Sequence, residues 1–351
     1  MPDPTPPADE RVGRVLSSRF RVLRLVASGG MASVYEAEDL AGGGTGALKL
    51  LRAHCRRQPD AVERLSREAA AATRISDPHI VRTLDAGKLS DGEPFVFMEL
   101  LNGQSLERLL SQRGRLPIAE AVDIAAQAAR GLRAAHTAGV LHRDIKPPNL
   151  FITAGESGRG RRVKLLDFGV SKLSDLVSLT REGFALGTFS YMPPEQMMSA
   201  KRVDARADLY ALGVVLYQCV TGRLPFMARS LHALMRAMEV EEYTRVSRLR
   251  PDAPPELDAL IERSLRADPR ARYAEAAELE ADLERLCRRA TPLPMLVVGP
   301  AEPTPRAPTP APHTTPAPHP VPMRPVAPVA GTAHTGSLLV ETIVPKTHRP
   351  E

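Results

Sequence analysis

The sequence predicts an α+β protein with two lobes, a small antiparallel β-rich lobe with one helix and a larger, mainly helical lobe. Two observations lead to this prediction. Over residues 20–101, short alternating apolar runs are separated by glycine-bearing turns, as is typical of antiparallel strands. Over residues 102–286, apolar residues recur three and four positions apart, which indicates amphipathic helices.

The small lobe is predicted to contain five strands and one helix. The strand-like runs are residues 20–26, 33–37, 47–51, 81–84 and 95–98. The glycine cluster Gly42–Gly46 predicts the hairpin turn between the second and third runs. The segment Asp60–Ile75 is rich in good helix formers, mainly Ala and Arg, and predicts the helix.

The large lobe is predicted to be helical with two short strand-like interruptions. The predicted helices are residues 106–112, 118–138, 209–221, 231–238, 257–265 and 274–287. The interruptions are residues 150–152 and 163–166. A hydrophobic content of 43% and a charged content of 25% fit a soluble globular protein with a sizeable core.

Both ends of the chain are predicted to be disordered. Residues 1–19 begin with a Pro-rich, acidic stretch, and about half of the 33 prolines lie after residue 290. Such segments cannot bury enough apolar surface to offset the entropy of ordering. The predicted domain therefore spans residues 20–286, with a Pro-rich tail at residues 287–351.

Several classes of function are not indicated by the composition. The net charge of +6 comes mainly from Arg residues scattered among acidic ones, without the interleaved aromatics of a nucleic-acid surface. No apolar run approaches the ~20 residues of a membrane helix, and the N terminus lacks a signal-peptide pattern. Cys55, Cys219 and Cys287 fit no metal-binding spacing and are predicted to be reduced thiols. We therefore expect a cytoplasmic protein with no nucleic-acid or membrane partner.

Four short motifs follow one another along the chain. The first is a glycine-bearing turn, Val26–Val34, whose small residues allow a backbone to approach phosphate groups closely. The second is Ala47-Leu48-Lys49, in which a lysine within an apolar strand must reach solvent or find partners. The third is the segment His142–Asn149, and the fourth is Asp167-Phe168-Gly169 after an apolar run. Each motif alone also fits a surface turn, an edge strand or a charged loop. Only the four motifs together, in this order, indicate a functional site.

In this order, the motifs resemble those of the protein kinase superfamily, in particular the bacterial eukaryotic-like serine/threonine protein kinases. The resemblance runs from about Phe20 to Leu286. It implies the two-lobed protein kinase fold, with an N-lobe of about residues 20–101 and a C-lobe of about residues 102–286. It also implies an enzyme that transfers the γ-phosphoryl group of ATP to Ser/Thr hydroxyls of proteins, with Mg²⁺ or Mn²⁺ as the cofactor.

The resemblance assigns catalytic roles residue by residue. Asp144 would accept the proton of the attacking hydroxyl, and Lys146 would neutralise the charge that develops on the γ-phosphate. Lys49 would hold the α- and β-phosphates and pair with Glu68 on the following helix.

The resemblance also assigns a metal site and a nucleotide site. Asn149 and Asp167 would be oxygen ligands of the metal ion. The residues expected to contact ATP are Val26, Ala27, Ser28, Gly29, Gly30, Met31, Ala32, Ser33, Val34, Ala47, Lys49, Met98, Glu99, Leu101 and Phe151, with Leu150 as an alternative to Phe151. The turn departs from the family pattern G-x-G-x-x-G-x-V, because Ala27 and Ala32 stand where the first and third glycines are expected. The affinity for ATP therefore does not follow from the resemblance.

Three residues are implicated in regulation or substrate choice. Arg143 would bind a phosphorylated residue of the activation segment, which runs from Asp167 to Glu195. The candidates are Ser171, Ser174, Ser178 and Thr180, of which Thr180 is favoured. Thr188 would lie beside Asp144, and this marks the Ser/Thr branch of the superfamily. We expect autophosphorylation at Thr180.

Four residues are expected to support the site rather than to react. Asp208 would hydrogen-bond the backbone of residues His142–Asn149, which the resemblance makes the catalytic segment. His142 would be a packing residue. Glu195 would form a buried ion pair with Arg272.

Two other functions stay open at this point. A pseudokinase would keep this fold as a binding or scaffolding module, and Ala27 and Ala32 favour it. A kinase-fold enzyme for small molecules is disfavoured by residues 187–195, which resemble a platform for peptide substrates. The sequence does not identify partners of the Pro-rich tail, nor whether two kinase domains dimerise.

Overall fold

The computed structural model describes residues 10–155, 160–168, 186–199 and 203–289. For residues 64, 67–69, 71, 72 and 186–188 the description covers the backbone alone. These residues form a β-rich N-lobe and a helical C-lobe. Within the part of the chain described, no helix is both long and apolar enough to cross a lipid bilayer.

The N-lobe is built on a six-stranded antiparallel sheet with the strand order β1-β2-β3-β4-β6-β5. The strands are β1 (Val15–Leu16), β2 (Phe20–Ser28), β3 (Ala32–Asp39), β4 (Thr45–Leu51), β5 (Thr83–Lys88) and β6 (Pro94–Glu99). Helix α1 (Pro59–Ala72) connects β4 to β5 and packs against β4, β5 and β6. The register pairs Lys49 with Val34 on one side and Val96 on the other.

Strand β4 is buried on both faces, and its side chains alternate between them. Leu48 and Leu50 belong to an apolar cluster around Phe20. Leu51 lies on the opposite face, where it packs with residues of α1. Because Lys49 shares a face with Leu51, it points to the side of the sheet that α1 covers.

The C-lobe contains helices and one small sheet. The helices are α2 (Leu106–Arg113), α3 (Ile118–Thr137), α4 (Pro194–Met198), α5 (Ala205–Thr221), α6 (Leu231–Glu239), α7 (Val246–Leu249), α8 (Pro255–Ser264) and α9 (Ala276–Arg289). Short 3₁₀ turns are Pro147–Asn149, Leu186–Tyr191 and Pro269–Ala271. The sheet is antiparallel, with the order β7 (Gly103–Ser105), β8 (Leu150–Ala154) and β9 (Arg161–Leu165).

Helix α5 is the centre of the C-lobe. It is apolar around most of its circumference, and almost all of its side chains are buried, as expected for a core helix. Its N-cap Asp204 accepts a hydrogen bond from the Arg206 N–H. Gly222 ends the helix with a φ of 74°, in the left-handed region that glycine adopts without strain. Helices α3 and α8 pack directly against α5.

The lobes are joined by more than the chain between β6 and β7. The segment after α1 runs alongside β9, where the Leu165 N–H donates to the His79 carbonyl at 2.8 Å. The Val81 N–H donates in turn to the Leu165 carbonyl at 3.0 Å. Because Val81 is used in this way, β5 begins at Thr83 rather than at residue 81, where the sequence predicts it.

The N-terminal prediction differs from the structure in part. Residues 1–19 are predicted to be disordered, but residues 15–16 form β1 and Arg11 is buried. Tertiary contacts of Arg11 keep these residues ordered, and composition alone does not predict such contacts. Residues 1–9 and 290–351, which include nearly all of the predicted tail, lie outside the described residues.

Candidate active site

The segment between α3 and β8 holds the motif His142–Asn149, and Asp208 in the first turn of α5 fixes its backbone. The Asp208 carboxylate accepts the N–H groups of His142 at 2.8 Å and Arg143 at 2.6 Å. His136 Nε2 lies 2.8 Å from the same carboxylate. Arg143 has a left-handed backbone with a φ of 62°, which is strained for a residue with a side chain. The bonds from Asp208 offset this strain.

Asp208 is an ionised carboxylate inside the protein. It is 1% exposed, and burial by itself would raise the pKa of its carboxyl group. Hydrogen bonds from His136 and from the backbone of His142 outweigh burial and lower the pKa below its usual value. The catalytic segment is therefore held by a charged acceptor that does not titrate near neutral pH.

Asp144 is oriented by Asn149. The amide nitrogen Nδ2 of Asn149 donates to the Asp144 carbonyl at 2.8 Å and to the Asp144 carboxylate at 2.9 Å. Since Nδ2 is used in this way, the amide oxygen is the atom that Asn149 can offer to a cation. Lys146 Nζ lies 3.2 Å from Asp144 Oδ1. The structure thus brings these three side chains together in one polar group.

Asp167 follows β9 and is connected to the same segment. Its backbone is also left-handed, with a φ of 53°. The Leu166 N–H donates to the Asn149 carbonyl at 2.9 Å, and His142 Nε2 lies 2.8 Å from the Leu166 carbonyl. These bonds hold the strained residue beside the catalytic segment. Gly169 of the same motif lies outside the described residues.

His142 is a fully buried, neutral imidazole. Its Nε2 faces a carbonyl and so carries the proton, while Nδ1 accepts the Asp144 N–H at 3.3 Å. Burial lowers the pKa of His142, and the carboxylates of Asp208 and Asp144 act in the opposite direction. The ring packs on Phe168 with 4.7 Å between centroids. These contacts support the predicted packing role.

Lys49 brings the N-lobe into this group. Its side chain is 7% exposed, and its Nζ lies 2.7 Å from Asp167 Oδ1. A cation of the N-lobe and an anion of the C-lobe therefore meet between the lobes. Glu68 lies in α1, and its side chain is outside the described residues, so the predicted Lys49–Glu68 pair stays a prediction.

The glycine-bearing turn Val26–Val34, predicted to approach phosphate groups, lies at the tip of the β2–β3 hairpin. The Gly29 N–H donates to the Ala32 carbonyl at 2.9 Å, and the hydroxyls of Ser28 and Ser33 lie 3.2 Å apart. Neither Ala27 nor Ala32 is among the described residues with a left-handed backbone. Alanine in place of glycine therefore imposes no backbone strain in this conformation.

The residues predicted to surround adenine lie where the lobes meet. Ala47 on β4 pairs with Met98 near the end of β6, and Leu101 lies in the connection to β7. The sequence leaves Leu150 and Phe151 as alternatives for the opposite wall. Leu150 is fully buried in the C-lobe core, whereas Phe151 is partly exposed, so Phe151 is the one that a ligand can contact.

Glu99 takes part in a contact between the lobes that the sequence does not predict. Lys164 on β9 places its Nζ 2.6 Å from Glu99 Oε1, and the same oxygen accepts the Arg82 N–H at 2.8 Å. The Glu99 backbone, predicted to bind adenine, is thus fixed through its side chain.

Glu195 and Arg272 form a bidentate ion pair with distances of 2.7 and 2.9 Å. The Arg272 side chain is fully buried and also donates to the carbonyls of Arg266 and Ala267. Its guanidinium lies over the Tyr210 ring at 4.7 Å. All of these contacts are structural, and they attach α4 to the C-lobe core.

Arg143 is bonded through its backbone carbonyl as well as through its N–H. Gln196 Nε2 donates to the Arg143 carbonyl at 2.9 Å, and Arg143 Nε is buried without a hydrogen-bond partner among the residues described. Thr180 lies in residues 169–185, outside the description, and of Thr188 only the backbone is covered.

The sequence does not predict three residues that contact residues of the site. They are His136, Lys164 and Gln196. His136 lies in a stretch of α3 that also contains Arg133 and Thr137, so its polarity does not distinguish it in the sequence. Lys164 and Gln196 carry no signal either, because a lysine in a short strand and a glutamine in a short helix are ordinary surface choices.

A curled β-sheet lobe and a helical lobe, with Lys49 of one facing Asp167 of the other, define the fold of the protein kinases. Residues 20–282 match the family described as Protein kinase domain. The chain belongs to this family, which confirms both the predicted fold class and the resemblance drawn from the motifs.

Two bacterial proteins with curated names are similar to this chain. Serine/threonine-protein kinase pkn3 of Myxococcus xanthus is 40% identical over 288 residues, which cover 80% of this chain and 52% of the relative. Serine/threonine-protein kinase PknH of Mycobacterium bovis is 39% identical over 271 residues, 77% of this chain and 44% of the relative. The chain thus spans about half the length of the curated relatives it matches. A crystal structure of the Mycobacterium tuberculosis PknI kinase domain is 26% identical with a TM-score of 0.61, covering 78% of this chain and 98% of that domain.

Proposed function

We propose that this chain is a serine/threonine protein kinase that transfers the γ-phosphoryl group of Mg-ATP to Ser/Thr hydroxyls of proteins. The observation that carries the proposal is the 2.7 Å contact of Lys49 Nζ with Asp167 Oδ1 beside the Asp144–Asn149 pair. The relatives named as serine/threonine-protein kinases support the choice of hydroxyl.

ATP would lie between the β2–β3 hairpin and Phe151. Lys49 would bind the α- and β-phosphates. A buried ammonium needs an anionic partner, which is the Asp167 carboxylate in this structure and would be phosphate oxygens once ATP is bound. Backbone groups of Glu99 and Leu101 would bind the adenine edge. Ala27 and Ala32 leave the hairpin backbone unstrained, and this supports nucleotide binding in spite of the missing glycines.

The donor atoms fit a magnesium ion. Asn149 offers an amide oxygen and Asp167 a carboxylate, and Mg²⁺ in phosphoryl-transfer sites takes one or two such ligands together with substrate phosphates. A metal ion held by Asn149 and Asp167 would supply positive charge that neutralises the phosphates. Mn²⁺ accepts the same oxygen ligands.

The transfer step is assigned to residues of the catalytic segment. The substrate hydroxyl oxygen bonds to the γ-phosphorus while the bond to the β–γ bridging oxygen breaks, and ADP leaves. The hydroxyl proton passes to the Asp144 carboxylate, which Asn149 holds in one orientation. Lys146, 3.2 Å from Asp144, stabilises the charge on the transferring group.

The test is turnover of γ-labelled ATP by the wild type and by Asp144→Asn. Removal of the proton acceptor is expected to lower turnover by about 10²-fold or more while Mg-ATP binding persists. Asp252→Asn, at an exposed aspartate, is the control and should match the wild type.

Two other outcomes are informative. A wild type that binds Mg-ATP without turnover would favour the pseudokinase. A wild type that binds no nucleotide would contradict the proposed kinase and leave only a scaffolding role. Mass mapping of residues 169–185 after the same incubation tests autophosphorylation at Thr180.

Four expectations from the sequence stay predictions. They are the domain limits 20–286, a cytoplasmic location, partners of the Pro-rich tail and pairing of two kinase domains.

A further inference from the structure

A segment that precedes the family match is built into the N-lobe. The match begins at residue 20, whereas the described chain begins at residue 10. We call residues 10–17 the N-terminal strap. The Gly13 N–H donates to the Val22 carbonyl at 2.9 Å, and the Val22 N–H donates to the Arg14 carbonyl at 2.9 Å. Ser17 Oγ accepts the Ser90 N–H at 2.8 Å.

Arg11 is the buried anchor of the strap, with a residue exposure of 9%. Its Nη2 lies 2.8 and 3.2 Å from the two carboxylate oxygens of Glu93 and 3.0 Å from the Leu51 carbonyl. Its guanidinium also lies 5.7 Å from the centre of the Tyr35 ring. The Glu93 side chain is 6% exposed, so both charges of the pair are largely removed from water.

The contacts of Arg11 meet at the junction between β4 and α1. Leu51 is the last residue of β4, the strand that carries Lys49. Arg56, in the short connection from β4 to α1, places its Nε 3.3 Å from the same Glu93 carboxylate. One buried carboxylate and one buried guanidinium therefore hold together the end of β4, the connection from β4 to α1 and the β5–β6 turn.

The strength of this anchor follows from burial. Burial raises the pKa of Glu93, and Arg11 acts in the opposite direction by charge and hydrogen bonding. Removal of one partner of a buried ion pair leaves a charge without full compensation in a poorly solvated place. The loss of Arg11 is thus expected to shift the β4–α1 junction as well as to release the strap.

We propose that Arg11 is a positioning residue for nucleotide binding, which acts by fixing the end of β4 and thereby the place of Lys49. Helix α1, which begins at this junction, carries the predicted partner Glu68, so both members of that pair depend on it. The inference rests on the proposed function, because ATP is the ligand whose affinity reports the position of Lys49.

The test uses the full chain and three single variants. Arg11→Met removes the charge and keeps most of the apolar stem. Arg11→Lys keeps a cation, whose ammonium can take over the contacts that Nη2 makes to Glu93 and Leu51. Arg14→Met removes an exposed arginine from the same strap and serves as the control. We measure the KM for ATP, kcat and the Kd of Mg-ADP by calorimetry, all at a temperature where circular dichroism shows folded protein. Thermal unfolding gives the Tm of each variant.

Arg11→Met is expected to raise the KM for ATP and the Kd for Mg-ADP about 5-fold or more. This is the lower end of the affinity changes by which one site affects another. The kcat should change much less. Arg11→Lys should recover most of the affinity, and Arg14→Met should match the wild type. The double variant Arg11→Met/Glu93→Gln should regain Tm because no buried carboxylate is left. Its KM should stay raised because the Leu51 contact is still missing.

Two results would overturn the inference. One is an unchanged KM and Kd in folded Arg11→Met. The other is a KM that recovers together with Tm in the double variant, which would show a purely structural role. A wild type and an Arg14→Met that neither bind nor turn over ATP would instead overturn the proposed function, and this inference with it.

Discussion

His142 shows how a single residue takes its charge state from the fold. A histidine in water has a pKa of about 6.5. In the folded protein burial lowers the pKa of His142, and Nδ1 accepts the Asp144 N–H, which requires that ring nitrogen to be unprotonated. The unfolded chain therefore binds a proton at this residue below about pH 6.5 while the folded chain does not, so stability falls as the pH falls.

This gives a prediction for the pH dependence of stability. Between pH 7.5 and 5.5 the free energy of unfolding should decrease, with His142 contributing up to about 1.4 kcal/mol per pH unit below its unfolded pKa. His142→Phe should be less stable at pH 7.5, because the Leu166 carbonyl loses its donor. Its slope with pH should be shallower than that of the wild type.

Urea unfolding at several pH values measures both effects. His232→Gln, which changes an exposed histidine, should keep the wild-type slope. An equal slope in His142→Phe would show that this imidazole is not the group responsible.

Helices α5 and α8 approach each other closely at one glycine. A Cβ added to Gly213 would lie 2.5 Å from the Cβ of Ser264, well inside ordinary contact. Ser264 is fully buried, and the backbone of α8 fixes its Cβ, so a side-chain rotation cannot relieve the contact. The close approach of the two helices therefore depends on Gly213.

Gly213→Ala is expected to lower the free energy of unfolding by about 1–3 kcal/mol through overpacking, although alanine is the better helix former by about 1 kcal/mol. Ser264→Gly removes the clashing Cβ, so the double variant should be more stable than the two single effects added together predict. Thermal or urea unfolding of the four proteins forms the cycle. Additive effects would mean that the helices can separate without cost.

The length of an element decides how well the sequence predicts it. Helices α3 and α5 contain several turns, and their apolar periodicity places them within a few residues of their observed bounds. Strand β7 and helices α4 and α7 have three to five residues each, too few for a period, and the sequence does not predict them.

At the scale of the whole molecule, the candidate site exists only because two lobes face each other. Lys49 comes from the N-lobe, whereas Asp144, Asn149 and Asp167 come from the C-lobe. A ligand that contacts all four would bind the folded form and not the unfolded chain. Such binding raises stability in proportion to the logarithm of ligand concentration.

Mg-ATP is therefore expected to raise the Tm of the full chain. At 100 times its Kd the stabilisation should be about 2.7 kcal/mol, and chelation of the metal should reduce it. Lys49→Met should lose most of the shift, since it removes the N-lobe contact with the phosphates. Lys88→Met, at an exposed lysine of β5, should keep it, and a full shift in Lys49→Met would contradict the assigned site.

By itself the sequence determined the family, the two lobes, the long elements and the order of the chemical motifs. These properties depend on residue type and on spacing over a few turns or strands, which can be read along the chain. Only the tertiary structure decided that Lys49 contacts Asp167, that His142 is neutral and that Arg11 lies inside the N-lobe. Each of these depends on residues far apart in sequence, because packing and burial, rather than local pattern, select the partner of a buried charge.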